Sequence, residues 1–135
     1  MDRTLLDTDM LSEALKQRNV SVIQRVADYL TQNHALCFSI VSRYEIRRGL
    51  KEKNATALLP RFETICGKSL VLPANAAVFD RASDLWVEAW RGGYPMGDAD
   101  LLIAATALED GRTLATGNTA HFAWIAGLKI EDWRK

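Results

Sequence analysis

Two patterns of apolar residues alternate along this chain, namely short continuous runs and segments with helical spacing. Short apolar runs of strand length lie at 3–6, 36–40, 69–72, 113–116 and 128–130. The segments between them repeat apolar residues with helical spacing. They predict helices at 8–16, 20–33, from residue 42 onward, and at 55–66, 76–91, 101–109 and 118–125. Strands that alternate with helices in this way are typical of an α/β fold with a mostly parallel central sheet.

Three local patterns add detail to this prediction. The segment 101–109 is apolar nearly all round, which predicts a central helix packed against the sheet. Gly67 follows the segment 55–66 and is expected to end that helix. Trp86 and Trp90 lie four residues apart on one predicted helix, and side chains of that size are more often core than contact surface. We therefore favour the core for both tryptophans, and an apolar contact face stays open as the alternative on the sequence alone.

Composition narrows the class of protein. The 135 residues fit a single domain over 1–135 with a core of its own. The 17 basic and 17 acidic side chains give a formal net charge of +0, which argues against a protein that coats nucleic acid through overall positive charge. Cys37 and Cys66 lack the spacing of a zinc or disulfide framework. No apolar run has membrane-spanning length and no secretion signal is found, so we expect a soluble cytoplasmic protein without a membrane partner.

Acidic residues recur where a strand should end and a helix begin. Asp7 follows the first apolar run, Glu45 follows the second, and Asp98 with Asp100 opens the apolar helix. Because the carboxyl ends of parallel strands meet at one edge of a sheet, these side chains should converge there. Carboxylates that lie close together repel one another unless a proton or a cation separates them. The pattern therefore predicts a divalent-metal site, and hard oxygen ligands suit Mg²⁺ or Mn²⁺.

Each acid also has a structural interpretation. Ser42 with Glu45 fits a capping box, in which the serine caps a helix and the glutamate bonds back to a free backbone N–H. Asp98 suits an N-cap and Asp100 a first helical turn, where the helix dipole favours a carboxylate. Asp7 is the hardest to explain structurally, because it directly follows an apolar strand and a buried charge needs a strong partner.

Four segments together resemble PIN-domain ribonucleases of the VapC toxin type. They are LLDTDML at 5–11, SIVSRYEIRRGL at 39–50, GDADLLIAATA at 97–107 and ATGNTAHF at 115–122, and the closing segment GLKIEDW at 127–133 also matches. The resemblance covers almost the full length, with the segments in order and suitably separated.

This resemblance implies a three-layer α/β/α sandwich and an endoribonuclease that uses Mg²⁺ or Mn²⁺ and acts as the toxin of a type II toxin–antitoxin pair. It also implies a cognate VapB-type antitoxin and a homodimer. By position, Asp7, Glu45 and Asp100 correspond to the metal-binding acids, and Asp98 to an accessory acid. Asn118 matches an Asn or Asp that takes part in the site. A metal held there would activate water and stabilise the charge that develops during hydrolysis of a phosphodiester.

Two positions depart from the family pattern. Asp9 stands where the resemblance leads one to expect Asn, and it adds a charge near the site. Gly117 replaces a residue that is more often polar or basic, a change that can remove a phosphate contact. The preceding Thr116 matches the family's strand-end threonine, and we expect it to contact RNA.

An acidic pocket repels RNA, so cations should lie beside it. The predicted RNA-contact patch, on the helix that carries Glu45, consists of Arg43, Arg47, Arg48, Lys51 and Lys53. The alternative for each of these residues is a solvated helix face that pairs with nearby acids. His34 and His121 are expected to have structural or surface roles, since an unpartnered histidine usually has one.

Three other functions remain open on the sequence alone. Asp7-Thr8-Asp9 after an apolar strand also resembles the aspartyl phosphatases of the haloacid dehalogenase type, in which the first Asp is a nucleophile. That hypothesis leaves Glu45 without a role. A non-enzymatic binding module would retain the helices as a partner platform. A stand-alone RNA-processing nuclease would retain the fold and the chemistry without the role of toxin.

Overall fold

The central sheet consists of parallel strands. A computed structural model describes residues 3–135, so the first two positions of the predicted domain 1–135 lie outside the described residues. Within that range the strands are β1 Thr4–Leu6, β2 Cys37–Ser39, β3 Leu70–Leu72, β4 Thr113–Ala115 and β5 Ile130–Glu131. They are ordered β3-β2-β1-β4-β5, and every neighbouring pair is parallel. The predicted α/β class is confirmed.

Seven helices connect and cover these strands in the described part of the chain. They are α1 Thr8–Lys16, α2 Val20–Asn33, α3 Ile40–Glu52, α4 Leu58–Lys68, α5 Ala76–Gly92, α6 Asp98–Glu109 and α7 Thr119–Phe122. Side chains fix several starts: Asp7, Asn19 and Asn75 each accept a hydrogen bond of 2.8–3.0 Å from the backbone N–H three residues on. The predicted bounds of α1 and α2 are confirmed. None of the helices in residues 3–135 is long and apolar enough to cross a membrane.

Helices cover both faces of the sheet. Leu5 and Leu6 are neighbours on β1, so their side chains point to opposite faces, and each is fully buried in a different core cluster. On one face α5 and α6 contribute Leu85 and Ile103, and on the other face α4 contributes Phe62, beside residues of α1 and α2. The result is the three-layer α/β/α sandwich that the resemblance implied.

The strand order changes direction at β1. The chain adds β2 and β3 on one side of β1, and β4 and β5 on the other side. In open parallel sheets, ligands bind in the crevice at the carboxyl ends of the strands where such a change occurs. Asp7 lies at this point, and its backbone N–H donates to the Ala115 carbonyl of β4 at 3.0 Å.

The predicted caps of α3 and α4 are wrong. α3 starts at Ile40, because Ser39 lies nearer the end of β2 and its Oγ accepts a 3.0 Å hydrogen bond from the Val41 N–H. Ser42 is therefore buried inside the helix and cannot begin a capping box. α4 continues through Gly67 to Lys68. A glycine inside a helix costs only about 1 kcal/mol relative to alanine, so it does not have to end the helix.

The favoured core position of the two tryptophans is also wrong, and both are exposed as in the alternative interpretation. Trp86 is 48% exposed and Trp90 is 72% exposed, and their rings stack with centroids 6.4 Å apart. The buried stripe of α5 consists instead of Val78, Ala82, Leu85 and Ala89. Phe79 joins the tryptophans on the outer side of the helix. We call these three exposed side chains, Phe79, Trp86 and Trp90, the outer α5 face.

Candidate active site

Asp7 connects the end of β1 to the start of α1. Its Oδ1 accepts a 2.8 Å hydrogen bond from the Met10 N–H, so the carboxylate caps α1. The Thr116 hydroxyl donates a second hydrogen bond to the same carboxylate. The side chain is 5% exposed. The structure therefore gives Asp7 a structural role that the sequence analysis did not identify, in addition to its place at the switch point.

The surroundings of Asp7 favour its protonated form. Burial raises the pKa of its carboxyl from 3.8 to about 6, because the charged form loses contact with water. The hydrogen bonds from Thr116 and Met10 act against this rise, and the negative charges of Asp9 and Asp100 add to it. Two further acids thus lie close enough to Asp7 to repel its charge.

Glu45 reaches the same region from α3. Its Oε1 accepts a 2.6 Å hydrogen bond from Oγ1 of Thr8, the residue that follows Asp7. Ser42 Oγ lies 3.1 Å from the same threonine oxygen. Because Thr8 has one hydroxyl proton and the carboxylate can only accept, Ser42 is the donor to Thr8. Glu45 is thus held beside the Asp7 segment instead of bonding back to the start of its own helix.

Asp100 enters from the first turn of α6 and meets a histidine. Its Oδ2 lies 3.1 Å from Nε2 of His121, which lies on α7 just after β4. The sequence analysis did not place His121 in the site. One indication was available, because His121 follows Asn118 by three residues and so lies one helical turn away from a predicted site residue.

Asp98 lies at the margin of the site. It is exposed in the first turn of α6, where Gly97 and not Asp98 occupies the N-cap position. Its side chain lines a cavity of about 320 Å³ between α5 and α6, together with Phe79 and Trp86. Asp98 therefore faces an apolar cavity between the two helices.

Asn118 and Thr116 follow β4 on the other side of Asp7. Asn118 is exposed at the start of α7, makes no side-chain cap, and donates its backbone N–H to Thr116 Oγ1 at 3.0 Å. The Thr116 side chain is fully buried. The expected RNA contact of Thr116 is wrong for this arrangement, because its hydroxyl is used inside the protein to hold Asp7.

Four residues of the predicted RNA-contact patch, Arg43, Arg47, Arg48 and Lys51, line one depression on α3. Arg48 lines a shallow depression that also contains Glu45, and its guanidinium lies over the Tyr44 ring at 5.0 Å from the centroid. Arg47 is turned toward α4, where its Nε donates to Glu63 Oε1 at 2.6 Å and lowers the pKa of that carboxyl. Arg43 lies in the groove that contains Glu63. Arg48 thus shares a depression with a site acid.

The oxygen donors of this site fit a hard divalent cation. Within residues 3–135, no three His, Cys, Asp or Glu side chains are spaced to hold a metal ion as they stand. Glu45 is engaged by Thr8, and Asp100 by His121. A cation near Asp7 would offset the repulsion that its carboxylate experiences from Asp9 and Asp100.

Fold and site together define an open parallel α/β domain with a carboxylate site at its switch point. A family model described as PIN domain matches residues 4–128. The chain belongs to the PIN-domain family.

Relatives match over nearly their whole length. The tRNA(fMet)-specific endonuclease VapC of Shigella flexneri is 29% identical over 134 residues, which covers 98% of this chain and 99% of the relative. Ribonuclease VapC2 of Rickettsia felis is 25% identical over 132 residues, with 97% and 98% covered. The solved structure of VapBC-1 from nontypeable Haemophilus influenzae contains a chain with a TM-score of 0.84 and 26% identity, with 98% of both chains covered.

Proposed function

We propose that this protein is an endoribonuclease that acts as the toxin of a type II toxin–antitoxin system. The observation that supports the proposal is the approach of three distant segments at the end of β1, where the charge of Asp100 repels that of Asp7 and Glu45 is hydrogen-bonded to Thr8, the residue after Asp7. The full-length similarity to relatives named ribonuclease VapC supports the same conclusion.

The proposed cofactor is Mg²⁺ or Mn²⁺, held by Asp7, Glu45 and Asp100 with Asp98 as an accessory acid. Such an ion supplies an activated water and charge stabilisation for phosphodiester hydrolysis. The protein's own residues position the acids. Thr8 holds Glu45, and His121 holds Asp100.

Two further predicted site residues, Asn118 and Arg48, contact the RNA in this proposal. Asn118 is exposed beside the Asp7 segment, and Arg48 is exposed beside Glu45. Both are therefore accessible to RNA that approaches the acids. A cationic side chain such as Arg48 reduces the repulsion between the RNA phosphates and these acids.

The aspartyl phosphatase alternative has less support. That alternative leaves the Thr8–Glu45 pair without a role. A stand-alone nuclease would share the fold and the chemistry with the toxin that we propose. An effect on growth in cells distinguishes the two.

We further propose three partners for the chain, namely an RNA substrate, a VapB-type antitoxin and a second copy of itself. The antitoxin is supported by the similarity to a VapBC complex. For the second copy we assign the outer α5 face, because an exposed apolar patch is typical of a contact site. Light scattering of the purified chain tests this assembly. A monomer at all concentrations would contradict the homodimer. The cytoplasmic location stays a prediction.

The nuclease activity is tested with purified protein and labelled RNA, in Mg²⁺, in Mn²⁺ and in EDTA. We expect cleavage only with metal, and a loss of about 100-fold or more in Asp7→Asn and in Asp100→Asn, because removal of a side chain that only orients a metal ligand already costs about 10–100-fold. Asp28→Asn, at an exposed position of α2, is the matched control and should cleave normally. Metal-dependent cleavage by both site variants would reject the site.

The role of toxin is tested in cells. Expression of the wild-type chain should arrest growth, Asp100→Asn should not, and co-expression of a small DNA-binding protein encoded next to this gene should restore growth. A chain that cleaves RNA in vitro without any effect on growth would favour the stand-alone nuclease.

A further inference from the structure

Gly117 leaves room for an arginine from the end of the chain. A Cβ atom built on Gly117 would lie 2.6 Å from Cζ and 2.9 Å from Nε of Arg134. Contacts that short do not occur, so a side chain at position 117 and the present position of Arg134 exclude each other. The backbone at Gly117 does not have a positive φ, so the backbone alone does not require a glycine there.

Arg134 is fixed at this position by several hydrogen bonds. Its Nη2 donates to the Gly117 carbonyl at 2.5 Å and to Asp132 Oδ2 at 3.2 Å, and its Nε donates to Asp132 Oδ1 at 3.3 Å. Its backbone N–H donates to the same Asp132 oxygen at 2.9 Å. Nη1 makes no hydrogen bond within residues 3–135, so its two donors remain available to a ligand.

The segment that carries Arg134 is anchored in the core. Trp133 is 1% exposed, its ring lies 5.6 Å from that of Tyr29, and its carbonyl accepts a 2.9 Å hydrogen bond from Ser21 Oγ. On the other side, the Thr116 N–H donates to the Glu131 carbonyl at 2.9 Å, which continues the pairing of β4 with β5. The guanidinium is therefore held beside the 116–118 segment before any ligand binds.

Arg134 borders a groove between α1 and the segment that follows β4. The groove has a volume of about 290 Å³ and contains Asn118 on the same side as Arg134, and Lys16 with the acids Asp9 and Glu13 on α1. Arg134 lies near enough to Asp7 for the two charges to interact. Two cations, Arg134 and Lys16, thus line a groove that also contains Asp9, two residues after Asp7.

We propose that Arg134 is an RNA-binding residue of this site, whose guanidinium contacts a backbone phosphate of the substrate in place of the side chain that Gly117 lacks. The inference rests on the proposed ribonuclease function. The N–H donors of Nη1 are left to contact phosphate oxygens, and the rigid support of Arg134 reduces the entropy lost on binding. Lys16 adds a second cation for the same strand of RNA.

The test measures the affinity for a short fluorescein-labelled single-stranded RNA over a salt series, in an Asp100→Asn background that prevents cleavage. Arg134→Ala should weaken binding about 3- to 10-fold at low salt and reduce the slope of log affinity against log salt by about 0.7, as expected for one phosphate contact to a single strand. In the active protein, Arg134→Ala should raise KM by a similar factor and leave kcat within about twofold.

Two further variants separate an RNA contact from a purely structural one. Gly117→Ala keeps the charge of Arg134 but displaces its guanidinium, so it should weaken binding as much as Arg134→Ala, and the double variant should be no worse than either. Arg81→Ala is the matched control. Arg81 is ion-paired to Glu109 and 45% exposed, against 44% for Arg134, but it lies near the far end of α6 from the acids. It should bind RNA like the parent.

The outcomes distinguish this inference from the proposed function. If the parent and Arg81→Ala bind RNA and Arg134→Ala binds with the same affinity and salt slope, Arg134 makes no phosphate contact although the nuclease assignment stands. A fall in kcat or in melting temperature without a change in KM or in the salt slope would show a structural clamp and overturn the inference. If the wild-type chain neither binds nor cleaves RNA with Mg²⁺ or Mn²⁺, the proposed function fails, and the inference fails with it.

Discussion

Thr8 Oγ1 donates a 2.6 Å hydrogen bond to Oε1 of Glu45, across 37 positions of sequence. Thr8 follows Asp7 directly, so this bond ties the acid of α3 to the strand end that carries the acid of β1. Ser42, one turn before Glu45 on α3, donates to the same threonine oxygen from 3.1 Å. The spacing of two site acids thus depends on one hydroxyl group.

We expect Thr8→Val to impair cleavage without unfolding the protein. Valine has the shape of threonine but donates no hydrogen bond, and a bond to a charged group contributes about 1.5–3 kcal/mol. Since 1.4 kcal/mol corresponds to a factor of ten, kcat/KM should fall about 10- to 100-fold. Initial rates of RNA cleavage give the result, and circular dichroism checks the fold. Thr8→Ser keeps the hydroxyl and should retain most of the activity. Wild-type rates in Thr8→Val would show that Glu45 needs no such support.

Asp7→Asn should make the metal-free protein more stable near neutral pH while it removes activity. The pKa of Asp7 is about 6 in the fold and 3.8 ordinarily, so the ionised carboxylate is less favourable in the folded state than in the unfolded chain. This cost is absent below the unfolded pKa, grows between 3.8 and about 6, and is complete above that. At about 1.4 kcal/mol per pKa unit, asparagine should add up to about 3 kcal/mol at pH 7. It also remains a good N-cap for α1.

Urea unfolding in EDTA measures this effect. The gain from Asp7→Asn should be largest at about pH 7.5 and should shrink toward zero near pH 4, because the wild-type carboxyl is then protonated in both states. Asp28→Asn, on the surface of α2, serves as the control and should change stability little at either pH. A variant that is less stable than wild type at neutral pH would show that the charge of Asp7 is compensated within the fold.

Arg48→Ala should weaken RNA binding more than Arg47→Ala does. Arg48 is exposed and lines a depression together with the site acid Glu45, whereas Arg47 does not line that depression and contacts Glu63 of α4 at 2.6 Å. Removal of one phosphate contact should reduce affinity several-fold at low salt and flatten its salt dependence. Fluorescence anisotropy with single-stranded RNA, measured side by side for the two variants, decides the order. Equal effects would mean that the Arg47–Glu63 pair opens when RNA binds.

The sequence predicts well what depends on local periodicity. The helices 8–16 and 20–33 were placed at their observed bounds, because apolar spacing and a capping side chain agree at each start. The position of the acids at one sheet edge also follows from strand–helix alternation alone. Where two caps compete, the local pattern is insufficient: Ser39 and Ser42 both precede helical sequence, and only the end of β2 decides between them.

The sequence does not predict which side chains from distant segments contact one another. Thr8 with Glu45, His121 with Asp100, and Arg134 with Gly117 join positions 37, 21 and 17 residues apart. Each contact depends on the rotamer with which a side chain reaches a neighbouring element. The apolar periodicity of the sequence does not predict that rotamer. The departure at Gly117 was visible in the sequence, but its consequence required the position of Arg134.

Trp90→Ser should leave the fold nearly as stable as wild type, whereas Leu85→Ala on the same helix should be strongly destabilising. Trp90 is 72% exposed and contacts chiefly Trp86, so its loss should cost about 0.5–1.5 kcal/mol, the range of an aromatic pair. Leu85 is buried against α6, and a leucine-to-alanine change in a core costs about 2–5 kcal/mol. Urea unfolding of the two variants gives both values at one protein concentration.

If the outer α5 face binds a second copy, light scattering should also show a weaker dimer for Trp90→Ser, and the stability of the wild-type protein should rise with its concentration. A Trp90→Ser variant as unstable as Leu85→Ala, at a concentration where both are monomeric, would mean that the tryptophan belongs to the core after all.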